Sequence, residues 1–449
     1  MRFYLRFSAV ALISITLSGV AHADWLQFRG PNGTGISDEP AETPTEWSPD
    51  SLKWKAALPG PGSSCPIVVG NKVLVTCWTG YGTDEAGEGG QDGLRRHLIC
   101  FDKNNGNELW RKTVEPFLPE DQYGGMFAEH GYASHTPASD GTHVFAFFGK
   151  TGVVAFDLDG KELWKTSVGT ESGARNWGSA SSPILFEDLV IVPATAESES
   201  IIALDKASGK QVWKAEAAGF NSTWGSPVLT TVDGRTDVVI AIPGEVWGLN
   251  AETGKLAWYS DGVPASSMCS SVVADASGTV YAIESGPGGG GGVAIRSGGT
   301  KNVSESHVVW AGNQSNRIST PLFHDGKLYT IANKIVTCLD ASTGKTIYEK
   351  RLRANASAAP SGGDSGGGGR RGGRRGRGGQ DYGSPIMADG KIYYTARNGE
   401  TFVVQVGDKF EQLASNFVTS EREDFSATPA VSEGNLFIRS SKHLYCVGK

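Results

Sequence analysis

Two histidines and a glutamate stand close together in "EHGYASHTP", where Glu129, His130 and His135 fall within seven residues. These side chains could hold a divalent metal, or supply an acid and a base near neutral pH. The spacing of five between the histidines matches no helical zinc motif, and no third, distant ligand stands out. Ordinary loop hydrogen bonding is therefore the reading with more weight, and no catalytic residue and no metal are expected. A glycine run, "SGPGGGGGVAI", could suggest phosphate cradling. It lacks the following Gly-Lys-Ser/Thr and any helix, so a flexible loop over Glu284 to Gly292 is expected instead.

The third candidate is electrostatic. "SGGDSGGGGRRGGRRGRGGQ" carries Arg370, Arg371, Arg374, Arg375 and Arg377 against Asp364. The whole chain has 41 basic and 48 acidic residues, so this stretch is a basic island in an acidic protein. It cannot bury apolar surface and is expected to be disordered over 354–380. In the cytosol such a tract would suggest RNA. Outside it, an anionic polysaccharide, lipid headgroups or an acidic protein are the expected partners, and nucleic acid is not. The alternative is a tolerated insertion, loosely attracted to its own acidic body.

The N-terminus points outside. "MRFYLRFSAVALISITLSGVAHAD" has Arg2 and Arg6, an apolar run from Phe7 to about Val20, and Ala21-His22-Ala23 before Asp24. That pattern reads as a signal peptide over 1–23, too short to span a membrane, giving a periplasmic or secreted protein. Six cysteines in an exported chain invite disulfides. Cys100, Cys338 and Cys446 recur at one position of different repeats and read as buried fillers. Cys77 could face Cys100; Cys65 and Cys269 stay undecided; at most one bridge is expected.

The elements that must carry these candidates repeat. "ICFDKNNGNELWRK", "VAFDLDGKELWKT", "IALDKASGKQVWKA", "WGLNAETGKLAWYS" and "VTCLDASTGKTIYEK" are copies of one strand, turn, strand unit. Each follows a second unit headed by Ser/Thr-Pro or a relative, as in "SSPILFEDLVIVPA" and "STPLFHDGKLYTI". Eight units, each predicting strands A to D, imply an all-β, eight-bladed β-propeller of four-stranded antiparallel blades over 47–449. Proline is tolerated early in strand A, Asp can cap the C–D turn, and Gly takes its left-handed position. Trp54, Trp110, Trp164, Trp213, Trp258 and Trp310 should pack between blades. The last unit stops after "HLYCVGK", so "SLKWKAAL" should supply its strand D and close the circle without a free edge. Residues 24–46 form an N-terminal extension.

The repeat "ALDxxTGKxxW" resembles that of quinoprotein alcohol dehydrogenases, whose propellers bind pyrroloquinoline quinone (PQQ). It is equally similar to the BamB-like family of outer-membrane assembly propellers, which bind no quinone. "WLQFRGPNGTG", "HGYASHTP" and "FDLDGKELW" further resemble exported PQQ-repeat proteins of planctomycete-type bacteria. The quinone enzymes imply adjacent cysteines against the cofactor, and covalent haem would need Cys-x-x-Cys-His; neither pattern is present.

The long connections, Thr79 to Arg96, Thr113 to Ala133, Glu284 to Gly292 and Ala354 to Gln380, fall on the face carrying the D–A and B–C connections; the exception is Ser297 to His307, a C–D loop of the fifth blade. Tyr132, Trp177, Trp224, Tyr382 and Phe425 precede strand A there and should surround the channel mouth, as a stacking funnel or as a cap. The resulting expectation is an exported, monomeric, non-enzymatic scaffold binding an envelope protein or anionic polymer through this face, without cofactor. The alternative is an enzyme using the mouth with PQQ and calcium, or with a metal.

Overall fold

The computed structural model describes residues 24–83, 89–286, 289–354 and 380–449. The signal-peptide reading for 1–23 and all five arginines of the insertion lie outside these residues. Eight antiparallel sheets surround one axis, with blade strands over 67–114, 138–166, 184–216, 228–261, 273–312, 322–351, 386–416 and 430–447. The eighth blade is completed by Trp54–Ala57, paired antiparallel with His443–Val447 so that Trp54 stands opposite Cys446.

The middle strands read as unbroken apolar runs because each blade is packed on both faces. Lys72–Thr79 has six consecutive buried residues, and Val144, Val154 and Phe156 of the second blade close on Leu74, Leu98 and Cys100 of the first. The A–B hairpins turn on pairs with positive φ, such as Asp325 (46°) with Gly326 (69°) and Asp389 (50°) with Gly390 (67°). This is the type I′ geometry that matches strand twist.

The C–D turns join one blade to the previous one. Asp205 Oδ1 accepts from the Ser208 N–H at 2.8 Å, and Gly209 sits at φ 69° under the Trp164 ring. Trp164 Nε1 donates to the Lys206 carbonyl at 2.8 Å. Trp54, Trp110, Trp213 and Trp310 repeat the contact, donating to Lys103, Leu158, Ala251 and Ala341 carbonyls. Trp258 differs: its Nε1 bonds Asp237 Oδ2 of its own blade at 2.9 Å. The fifth blade has a long C–D loop in place of the Asp-x-x-Thr-Gly turn, and its Lys301–Asn302 adds a parallel strand against Trp258–Tyr259.

Two expectations change. The glycine run is a paired hairpin rather than a loop, with Thr279–Gly286 bonded to Gly289–Arg296 in register as far as Gly286 opposite Gly289. Glycine is needed there because the carbonyls of Pro264 and Gly312 press against Gly289 and Gly291, where a Cβ would collide. Cys77 does not face Cys100: it stands opposite His97, and Cys100 opposite Leu74. All six cysteines are free thiols.

Around the axis, the residue heading each strand A hydrogen-bonds the next blade. The Cys65 N–H donates to Thr136 Oγ1 (2.9 Å), Thr136 to Ser182 Oγ (3.0 Å), and Ser182 to Ser226 Oγ (2.8 Å). Ser226 continues to Ser271 Oγ (2.8 Å), Ser271 to Thr320 Oγ1 (3.2 Å), and Thr320 to Ser384 Oγ (2.9 Å). Ser384 then donates to Thr428 Oγ1 (2.9 Å), and Thr428 to Cys65 Sγ (3.2 Å), closing a girdle of eight bonds.

On the A–B side the N-terminal extension crosses the channel. Trp25 pairs with Val68 of the first blade, Leu26 accepts from the Ser139 N–H, and Gly35 accepts from Met387 of the seventh. Ile36–Ser37 then adds a parallel strand beside Ile386–Ala388.

Candidate functional site

The D–A connections meet over the opposite mouth. A short 3-10 turn, Phe127–Glu129, aims Glu129 across the axis at Arg397, in the B–C turn of the seventh blade. Arg397 Nη1 meets Glu129 Oε2 at 2.6 Å and its Nε meets Asp424 Oδ2 at 2.5 Å. Burial opposes the charge on Arg397, but Asp424 and Glu129 outweigh it and hold the guanidinium protonated. Tyr382 lies beneath, 5.4 Å from its ring centroid to the guanidinium.

The histidines do not converge with Glu129. His130 Nε2 donates to the Trp177 carbonyl at 2.7 Å, while its Nδ1 meets Ser134 Oγ at 2.7 Å, so neither nitrogen offers a free lone pair. Burial lowers its pKa. His135 turns inward, its Nε2 2.9 Å from Ser179 Oγ, which donates to Glu197 Oε1 at 2.5 Å. Among the described residues no group of three or more metal-ligating side chains comes together. Glu129 turns to Arg397, His130 to Trp177 and Ser134, and His135 to Ser179, so the three side chains point to different neighbours.

The His135–Ser179–Glu197 cluster is the densest electrostatic feature of this face. Burial pushes Glu197 up to about 7, against the Ser179 bond that favours its charge. Burial takes His135 down to about 3. Beside them lie two more buried ion pairs, Arg96–Glu120 at 2.6 Å and Lys150–Asp121 at 2.9 Å. The shared cavity is about 20 Å³, room for one water. His135 Nδ1 and Glu197 Oε2 have no hydrogen-bond partner. This is not a nucleophilic triad: the carboxyl is on the serine rather than on the imidazole, and no substrate carbonyl could reach Ser179. Arg96, Glu120, Ser179, Glu197 and Arg397 escaped the sequence reading. The signal available was polar residues inside apolar strands, as Arg96 in "RRHLICF".

The five aromatics form no funnel. Tyr132 is buried among Trp78, Phe127 and Tyr123, and Phe425 is buried against Tyr445. Trp177 and Trp224 are half-buried and pack on each other, centroids 5.0 Å apart, and Trp224 Nε1 is tied to the Gly178 carbonyl. Arg175 lies over Trp177 at 5.1 Å, held by Ser222 Oγ and the Ser266 carbonyl. Between Trp177 and Trp224 no room is open for a flat ligand such as a quinone: the rings touch each other, and the cavity beside them is about 10 Å³.

Comparisons with known proteins give the fold two kinds of company. Over 249 residues the chain is 25% identical to outer membrane protein assembly factor BamB of Yersinia pestis, covering 49% of this chain and 58% of that one. It is 22% identical to polyvinylalcohol dehydrogenase of a Pseudomonas species, covering 46% and 36%. The chain thus matches well under two thirds of either relative's length. Among solved structures, BamB from Moraxella catarrhalis superposes with a TM-score of 0.53 at 12% identity, covering 80% of this chain and 92% of that one. A europium-containing methanol dehydrogenase gives 0.58 at 11%, covering 94% and 98%. These likenesses show the fold alone. The profile of the PQQ_2 family, described as outer membrane protein assembly factor BamB, matches residues 43–192, 95–219 and 150–408. With eight four-stranded blades beneath that match, the chain belongs to the BamB-type PQQ_2 family of propellers.

Proposed function

We propose that the chain is an exported, non-enzymatic scaffold that docks a protein of the cell envelope through its D–A/B–C face. The observation carrying this reading is the Arg175–Trp177–Trp224 stack, half-exposed and fixed in place by its own hydrogen bonds. Rigid Trp and Arg side chains at a rim are the residue types that dominate protein interfaces, because little entropy is lost when they are covered. Phe117 and Leu118, on the same face, are 45% and 44% exposed and add apolar area. The name of the Yersinia relative, an assembly factor, agrees with this role. No helix among the described residues is long and apolar enough to cross a membrane.

A photo-crosslinking residue at Phe117 should trap an envelope protein, while one at Leu109 on the outer rim should not. Equal trapping at both positions contradicts the proposed face. If the arginine-rich insertion is the docking element instead, capture should persist without Phe117 and fall steeply with salt. The second reading, a quinoprotein, rests on the dehydrogenase relatives. It requires a rise in melting temperature with PQQ and calcium together.

A further inference from the structure

Arg29 lies in the segment that crosses the channel, and its guanidinium is fully buried. It makes one hydrogen bond, Nη2 to the Thr34 carbonyl at 3.1 Å. Nε and Nη1 have no partner, and among the described residues no carboxylate pairs with Arg29. Its backbone is held at φ 60°, in the left-handed region that non-glycine residues rarely occupy. Gly35 must be glycine for Arg29 to lie there, since a Cβ would meet the guanidinium and Leu322. The fold therefore holds this charge in place at some cost.

The girdle residue near Arg29 is Cys65. Every girdle oxygen accepts a backbone N–H, so its own hydrogen is left to donate. Arg439 also lies within electrostatic reach of Cys65, bonded to Ser64, with its Nε and Nη2 unpartnered. Burial lowers the Arg29 pKa to about 9, with Cys65 within electrostatic reach. The axis thus carries buried positive charge beside N–H and O–H donors, and among the described residues neither Arg29 nor Arg439 forms an ion pair with a carboxylate. An uncompensated buried cation costs several kcal/mol.

We propose that the axial channel holds one small inorganic anion between Arg29 and the hydrogen-bonded girdle, bound by Arg29 Nε and Nη1 and by girdle hydroxyls. The anion is a structural ligand that fastens the crossing segment to the eight blades. It would not be consumed or turned over.

The test is anomalous diffraction from crystals of the purified protein grown in sodium bromide. A bromide peak on the axis, within hydrogen-bond distance of Arg29 Nε or Nη1, is expected; density for a tetrahedral oxoanion there supports the same site. Water alone, or no density, overturns it. In solution, replacing gluconate by bromide at fixed ionic strength should raise the wild-type Tm by about 1–2 °C per tenfold increase. Arg29→Met should show no such rise. An equal response in both proteins contradicts the site, and if Arg29→Met does not fold, the diffraction result decides alone.

Discussion

The backbone N–H of Thr428 donates to Cys65 Sγ at 3.2 Å, and with that contact the last blade is tied to the first at the axis. A second tie, from Trp54 Nε1 of the last blade to the Lys103 carbonyl of the first at 2.8 Å, joins the same blades at the outer edge. The circle is therefore closed at its inner and outer radius by different chemistry. The inner bond is the one place in the girdle where sulfur replaces oxygen.

Cys65→Ala should leave the Thr428 N–H buried without an acceptor and cost about 1–3 kcal/mol. Cys65→Ser restores an oxygen acceptor and should remain within about 1 kcal/mol of wild type. Urea unfolding of the three proteins measures this; equal stability of the Ala and Ser variants contradicts the girdle as a source of stability.

Gly254 tests the blade-to-blade dock. It has φ 70°, and a Cβ there would strike the Trp213 ring. Gly70 also has positive φ, 54°, but nothing lies within 4 Å of a Cβ there. Gly254→Ala should cost at least about 2 kcal/mol more than Gly70→Ala, because only the first adds a collision to the backbone strain. Chemical denaturation of the pair checks the difference.

Glu197 and His135 give stability opposite pH slopes. The folded pKa of Glu197 stands above its ordinary 4.5, at about 7, so its contribution is fully present below 4.5 and is lost as pH rises towards 7. That of His135 falls from 6.5 to about 3, so its contribution is present above 6.5 and is lost as pH falls towards 3. Glu197→Gln should remove the first slope and stabilise the protein at pH 8 by up to about 3 kcal/mol relative to wild type. Unfolding free energies at pH 5, 6, 7 and 8 check it, and parallel profiles for the two proteins contradict it.

Arg397→Ala should release Glu129 and Asp424 and loosen the mouth without unfolding the propeller. These pairs are partly solvent-exposed, so a loss of about 1 kcal/mol is expected. Hydrogen exchange should quicken at amides 124–133 and stay unchanged in blade four.

What the sequence could reveal follows from what repeats. Blade number, the docking tryptophans and the closing strand were legible because each occupies the same place in a repeated unit, where periodicity exposes it. The Ser/Thr-Pro heading was visible too, but its use was not. A hydroxyl accepting from a residue 44 to 71 positions away leaves no local pattern. Trp258 packs between the fourth and fifth blades as expected, but its hydrogen bond stays within its own blade, because the turn it faces in the next blade departs from the repeat. The packing of each ring at the mouth was hidden for a related reason. Tyr132, Trp177 and Phe425 share a sequence position but sit in connections of unequal length, so each turns to a different neighbour. Nothing periodic marks Arg29 or Glu197, whose burial is decided by elements far along the chain.

The most direct measurement for the scaffold reading is affinity capture from envelope extract by the wild-type protein and the Arg175→Ala/Trp177→Ala variant, with bound proteins quantified. Truncating a half-buried Trp–Arg anchor should cost about 2 kcal/mol or more of binding, a loss of at least tenfold for the specific partner, while both proteins melt alike. Retention of the same proteins in the same amounts by wild type and variant would contradict docking through this face.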